Sequence, residues 1–290
     1  MTIIETFFIA SAIVFAGVLM AAHTLQRKMI YFPDRERVAP EAMGLMGVQE
    51  VELLRPGNVR LVAWYTPART GKPTLLYFHG NGGNLAVRAD RIAAYQAQGI
   101  GVFMMSYRGY SGSDGVPSET LNVADALAAF DHLVGLGVPR ADVVLYGESL
   151  GSGVAVQAAA TIAANSGSGT SGGRTGAQGI LGGVILDAPY TSIADVGAAA
   201  YPFLPVHLLI RDRYDTMAVI GQVTAPLLIL HGEQDEVIPV KMGAEVFAAA
   251  NKPKKLVTFP QAGHSDHHVY GAFEAALAWL EALPGAQLPR

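Results

Sequence analysis

From Thr74 onward the sequence alternates short, almost wholly apolar runs with longer Ala-rich stretches, and this alternation narrows the possible folds more than any other feature. The apolar runs are Thr74 to Phe78, Val102 to Ser106, Val143 to Tyr146, Gly183 to Leu186, Leu227 to Leu230 and Lys255 to Phe259. The amphipathic stretches are Leu85 to Gln98, Ser118 to Leu136, Leu150 to Ala164, Val240 to Ala250 and Val269 to Leu283. Strands without a polar face must be covered on both sides, and the intervening helices supply that cover, so the expected class is α/β with a mostly parallel sheet. Val48 to Leu54 and Val59 to Tyr65, joined by the turn Arg55-Pro56-Gly57-Asn58, read as an antiparallel hairpin that completes eight strands. Two segments break the rhythm. The Gly/Ser/Thr-rich run 165–179 has no apolar face and is expected to be a flexible loop at the amino ends of the strands. The segment 190–223 lies at the opposite, ligand-binding ends and carries Tyr201-Pro202-Phe203-Leu204-Pro205-Val206, an expected small cap whose Tyr201, Phe203 and Leu204 are candidate substrate contacts.

Ile3 to Ala22 is apolar apart from Glu5 and contributes roughly half of the hydropathy excess of the chain. Three readings compete for it. A secretory signal would carry a basic start and a clear small-residue cleavage site, whereas this start is acidic and the candidate sites near Ala21 are poor. A buried core helix would show a polar stripe, which is missing. The favoured reading is an uncleaved single-pass anchor over residues 3–22, a juxtamembrane segment over 23–43 and a catalytic domain over 44–286. Arg27, Lys28, Arg35 and Arg37 follow the apolar run, so the positive-inside rule favours a cytoplasmic catalytic domain.

Gly-x-Ser-x-Gly occurs twice. Gly169-Thr170-Ser171-Gly172-Gly173 sits in the low-complexity run and reads as linker. Gly147-Glu148-Ser149-Leu150-Gly151 follows a strand and opens a helix, the context of a nucleophile elbow, in which flanking glycines permit a turn that leaves the Ser149 hydroxyl projecting above the sheet. His79-Gly80-Asn81-Gly82-Gly83-Asn84, at the end of another strand, can direct backbone N–H groups into a shared space, and the Asn81 and Leu150 N–H groups are the expected donors to an oxyanion. The run lacks the Lys-Ser/Thr of a phosphate-binding P-loop. Of eight histidines, His264 follows the last strand and can reach over Ser149 as a base. His79 and His231 are expected to brace loops, and His23, His132 and His207 to be structural. His267 and His268 are expected to begin the final helix. His264, Asp266, His267 and His268 form a weak metal motif without a second cluster, so no metal or other cofactor is expected. The orienting acid is Asp235 on the loop after Leu230, above a packed Val237-Ile238-Pro239, with Asp187 as its rival.

These pieces together resemble the α/β-hydrolases, and more narrowly the membrane-anchored branch that includes the bud-emergence-protein-like hydrolases and animal α/β-hydrolase-domain depalmitoylases. The resemblance rests on Met29-Ile30-Tyr31-Phe32-Pro33 after the apolar run, F-H-G-N-G-G-N from Phe78, S-Y-R-G-Y-S-G-S-D-G from Ser106, G-E-S-L-G from Gly147, L-D-A-P-Y-T-S from Leu186, Y-P-F-L-P-V from Tyr201, H-G-E-Q-D-E-V-I-P from His231 and A-G-H-S-D from Ala262. It implies a triad of Ser149, Asp235 and His264, oxyanion donors at Asn81 and Leu150, and no cofactor. The chain has no cysteine, so the lipidation sites of many animal members are absent. A net charge of −4 gives no basic footprint for nucleic acid. The expected activity is hydrolysis of carboxylic esters or thioesters, with a small-molecule or acylated substrate and the membrane as partners. An aminopeptidase-type amide hydrolase and a catalytically silent membrane-anchored binding module are the rivals.

Overall fold

A computed structural model of the chain describes residues 2–167 and 181–283. Eight strands form one sheet: β1 (Gln49–Arg55), β2 (Val59–Thr66), β3 (Thr74–Phe78), β4 (Gly101–Met105), β5 (Val143–Glu148), β6 (Gly183–Asp187), β7 (Leu227–Gly232) and β8 (Lys254–Phe259). Their order across the sheet is β8-β7-β6-β5-β3-β4-β2-β1. Only β2 runs antiparallel to its neighbours, and every other pairing is parallel. The strands β3, β4, β6 and β7 are buried at every position, which is why their sequences carry no alternation.

Side chains still alternate between the two faces. From β3, Leu76 and Phe78 join a core with Ala126 and Phe130 of helix α3 (Glu119–Gly135) and Val154 and Ala158 of α4 (Leu150–Gly167), while Leu75 and Tyr77 join a second core on the other face. That second core takes Ile92 from α2 (Ala89–Ala97) and Trp279 from α9 (Ala272–Glu281). Each fully buried Leu or Phe contributes roughly 1.5–3 kcal/mol, so the two cores hold the sheet between its helical layers. The chain's reactive residues gather along one edge of this frame, at the carboxyl ends of β3, β5, β6, β7 and β8.

The helix α1 (Ile3–Ile30) opens with a capping box between Thr2 and Glu5 and runs for 28 residues, about 42 Å, well past Ala22. Its most apolar window has no residue buried in the protein, so it is not a core helix. It is long and apolar enough to cross a membrane and is a candidate anchor. The segment 190–223 forms the short helices α5 (Ile193–Ala200), α6 (Val206–Leu209) and α7 (Thr216–Val219) above the sheet edge, and α8 (Val240–Ala249) covers β7 from below.

Two expectations are corrected. The stretch Leu85 to Gln98 is helical only from Ala89, after a 3-10 turn at Ala86–Arg88 that turns the Arg88 guanidinium inward to Glu148. His267 and His268 do not begin the final helix; they lie in a separate 3-10 turn, His267–Tyr270, closed by Gly271 at φ 95°, and α9 starts at Ala272. His267 is held out of helical register by Asp187, whose carboxylate accepts from its Nδ1 at 2.5 Å. Ser171 and most of the expected loop 165–179 lie outside the described residues; α4 itself continues to Gly167.

Candidate active site

Ser149 sits between β5 and α4 with φ 51°, a left-handed conformation that a non-glycine residue adopts only when its surroundings enforce it. The glycines on either side enforce it by proximity. A Cβ on Gly151 would overlap the Phe78 carbonyl, and one on Gly147 would overlap the backbone of Gly151 and Ser152. The turn is pinned by the Ser149 N–H donating to the Asp187 carbonyl at 2.8 Å and the Ser152 N–H donating to the Ser149 carbonyl at 2.8 Å. Ser149 Oγ lies 3.0 Å from His264 Nε2, and His264 Nδ1 lies 2.7 Å from Asp235 Oδ2. A carboxylate can only accept, so Nδ1 carries the proton and Nε2 is free to accept from the serine hydroxyl.

The loops that bring these groups together have identifiable supports. A Cβ on Gly232, at the end of β7, would overlap the carbonyls of Ala262 and Gly263, so the missing side chain admits the turn that carries His264. Asp235 is buried, and its Oδ1 accepts from the Val237 and Ile238 N–H groups at 2.9 and 2.7 Å. Burial alone would raise its pKa; hydrogen bonds from His231, His264 and the Ile238 N–H outweigh it and hold the carboxyl well below the ordinary range. His231 braces this loop by a 2.8 Å contact of Nε2 with the Ile238 carbonyl. Ile238 is buried beneath Asp235 as expected, but Val237 is 57% exposed and belongs to the cavity wall described below.

Asp187, the rival acid, is 2.5 Å from His267 Nδ1 and accepts from the Tyr146 hydroxyl at 3.0 Å; it makes no hydrogen bond to His264. Glu148 is bound by Arg88 at 3.0 Å, Arg91 at 2.9 Å and the Tyr77 hydroxyl at 2.7 Å. Burial would raise the Glu148 pKa, and the two guanidiniums beside it drive it well below the usual value instead. With Asp187 and His267 these groups line a small polar recess beside Ser149 and His264.

On the other side of Ser149 lies an apolar cavity of about 200 Å³. Asn81 and Leu150 border it together with the serine. The loop bearing Asn81 is fixed through its carbonyl, which accepts from the Phe32 N–H at 2.9 Å and the Tyr110 hydroxyl at 2.7 Å. Its side chain donates to the Ile30 carbonyl at 3.1 Å. Of the three cap candidates, Tyr201 and Leu204 line the cavity and Phe203 does not; it is 73% exposed at the tip of the cap. His79 is fully buried beneath this loop, in contact with the Tyr107 and Tyr110 rings, and its pKa is pushed down to about 3 by burial and the Arg88 charge.

The sequence matches the family model described as the alpha/beta hydrolase family over residues 75–277, most of the chain. The chain belongs to the α/β-hydrolase family. Among this hydrolase's relatives are an uncharacterized protein of Mycobacterium tuberculosis, 35% identical over 258 residues and covering 88% of this chain and 86% of the relative. The alpha/beta hydrolase domain-containing protein WAV2 of Arabidopsis thaliana is 31% identical over 292 residues, 91% of this chain and 89% of that one. Protein bem46 of Schizosaccharomyces pombe is 29% identical over 255 residues, 83% and 80% of the two chains. Among solved structures, an alpha-beta hydrolase from Vibrio vulnificus superposes with a TM-score of 0.67 at 22% identity, covering 85% of this chain and 88% of that chain. The Pyrococcus furiosus esterase Pf2001 gives 0.63 at 16% identity over 87% and 96%. At such identities the structures speak for the fold alone.

Proposed function

We propose that this hydrolase is a membrane-anchored serine hydrolase that cleaves carboxylic esters or thioesters by way of an acyl-enzyme. The observation that carries the reading is the continuous hydrogen-bonded line from Asp235 through His264 to Ser149 Oγ, whose serine end borders an apolar cavity. Ser149 Oγ attacks the substrate carbonyl carbon while its proton passes to His264 Nε2, and the carbonyl oxygen becomes an oxyanion. The Asn81 and Leu150 N–H groups hold that oxyanion, each such donor being worth roughly 3–4 kcal/mol in the transition state. Collapse breaks the bond to the leaving alkoxide or thiolate, which takes the proton from Nε2. Water then gives a proton to Nε2 and attacks the acyl carbon, and the returned proton restores Ser149 as the carboxylic acid leaves. Asp235 stays ionised throughout, fixing the imidazole tautomer and balancing its positive charge.

The alternatives lack support of this kind. An aminopeptidase needs an unpaired carboxylate to receive a free amine, and near Ser149 Glu148 is committed to Arg88 and Arg91, and Asp187 to His267. Labelling with a fluorophosphonate probe tests the assignment. The intact protein should label and Ser149→Ala should not; equal labelling of both, or of neither, would remove Ser149 from its role and favour a silent binding module.

A further inference from the structure

The apolar cavity is not enclosed by the hydrolase body alone. Four of its wall residues, Ala22, Gln26, Met29 and Ile30, belong to α1, the same helix whose earlier part is the candidate anchor. The facing wall comes from the cap, through residues such as Ala200, Tyr201, Val206 and Leu209. Ser149 lies on the floor between them.

The contents this space suits follow from its polar groups. Gln26 is buried, yet its amide donates to the His23 and Leu209 carbonyls at 2.7 and 3.0 Å and accepts from the Arg211 N–H at 2.6 Å. Tyr190 donates to the Leu150 carbonyl at 3.0 Å, and the Asn81 amide to that of Ile30. Each is satisfied within the protein, so these walls offer a ligand hydrocarbon contact.

The location of the space follows from α1. Ile3 to Ala21 is apolar apart from Glu5 near its start, and at about 1.5 Å per residue it spans about 28 Å, the thickness of a hydrocarbon layer. The cavity wall begins at Ala22, the next residue, and extends about 12 Å further to Ile30. The helix is locked in this position by three of its residues, which bind one cap segment. Arg27 binds Asp212 through Nε at 2.8 Å and Nη2 at 3.1 Å, Gln26 holds Arg211, and His23 Nδ1 lies 3.1 Å from the Leu209 carbonyl. The cap exposes Tyr201, Phe203 and Leu208, at 40%, 73% and 86%, as an apolar rim, and α6, which carries Leu208, packs against α1.

We infer that α1 is a wall of the acyl-binding cavity, and that the substrate is a long-chain acyl ester resident in the bilayer whose chain enters between α1 and the lipid-seated cap rim. The inference rests on the serine-hydrolase reading and adds to it the substrate class and the route. The acyl chain then never crosses water. Its carbonyl stops at Ser149, and the leaving group faces the polar recess of Arg91, Asp187 and His267.

The test uses the full chain in phosphatidylcholine vesicles with 4-nitrophenyl butyrate, which is soluble, and 4-nitrophenyl palmitate, which partitions into the bilayer. For the unmodified protein kcat/KM referred to the free aqueous ester, a scale that includes transfer from water, should climb about fourfold per methylene over the intermediate chain lengths; a flat or falling series on that scale would overturn the inference. Ala22→Trp should lower the palmitate-to-butyrate ratio at least tenfold, and Leu25→Trp, on the same helix but outside the cavity, should leave both rates within twofold. An unchanged ratio in Ala22→Trp, or an equal fall in Leu25→Trp, would show that α1 is no part of the acyl site. Met29→Trp repeats the comparison if Ala22→Trp fails to fold. Phe203→Glu combined with Leu208→Glu should reduce the same ratio at least fivefold; no reduction would show that the rim meets another protein or water instead of lipid. Ser149 labelled by fluorophosphonate but no turnover of palmitate would sink the lateral route and spare the hydrolase. No labelling and no turnover of any ester would remove both.

Discussion

Replacing Asp235 by Asn should lower kcat by about 10⁴-fold, or about 5.4 kcal/mol of transition-state stabilisation. The reasoning turns on which way the new amide faces. Oδ1 of Asp235 accepts from two backbone N–H groups, Val237 at 2.9 Å and Ile238 at 2.7 Å, and only an oxygen can serve there. The amide nitrogen of Asn is therefore forced to the Oδ2 position, 2.7 Å from His264 Nδ1. An N–H facing an N–H is repulsive, so the imidazole moves its proton to Nε2, where it points at Ser149 Oγ and can no longer accept the hydroxyl proton. The assay is the rate of ester turnover at neutral pH, with the rate of fluorophosphonate labelling as a measure of serine nucleophilicity alone. Asp187→Asn is the comparison, because Asp187 holds His267 and not His264, and its loss should stay below about tenfold. An Asp235→Asn protein within tenfold of the unmodified rate, or one matched by Asp187→Asn, would refute the argument.

Two further outcomes concern stability. His79 is buried neutral, with Nδ1 against the Gly80 carbonyl at 2.7 Å and Nε2 accepting from the Tyr107 N–H at 3.4 Å. Between pH 6.5 and about 3 the unfolded chain carries a proton on this ring that the folded chain excludes, so stability falls as pH drops through that window. At about pH 4.5 the loss should be about 2–3 kcal/mol, read as a lower urea midpoint than at pH 7. Glu148, held ionised by its arginines, adds to the loss below the ordinary glutamate range; a pH-independent midpoint would contradict both. Gly151→Ala forces a methyl into the Phe78 carbonyl and should cost at least about 2 kcal/mol in thermal unfolding while abolishing probe labelling; a stable, labelled variant would mean that the turn is looser than described.

The parts of this architecture written in consecutive residues were legible beforehand. Val143-Val144-Leu145-Tyr146 followed by Gly147-Glu148-Ser149-Leu150-Gly151 encodes strand, turn and helix in one stretch, because steric limits on a tight turn act locally. Four of the six parallel strands, β3, β4, β6 and β7, were recognisable for a related reason: burial on both faces keeps charged residues out of most of the run. Contacts between distant segments left weaker traces. His267 lies 80 residues from Asp187, and the pattern around it, Asp266-His267-His268, suits a helix start as well as a turn. The part of α1 that lines the cavity was hidden by its polarity. His23, Gln26, Arg27 and Lys28 read as the water-exposed end of an anchor, and only their partners at Leu209, Arg211 and Asp212 reveal that three of these face protein. The available signal was helical spacing: Ala22, Met29 and Ile30 lie four, three and four residues from Gln26, on one face of the helix. Phe203 misled for the opposite reason: an aromatic residue in a cap suggests a ligand contact, whereas its chain direction turns it outward.

The contacts of α1 also determine where the protein can be cut. Removing an apolar leader to obtain a water-soluble enzyme is ordinary preparative practice, and here the position of the cut decides which enzyme is obtained. A chain shortened to begin at Ala22 keeps the last two turns of the helix and the wall they form. One shortened to begin at Tyr31 loses Gln26, leaves Asp212 without Arg27, and takes from Asn81 the Ile30 carbonyl that steadies its loop. Rates measured on the second would describe an open groove with a slackened loop, and its indifference to acyl length would be a property of the cut.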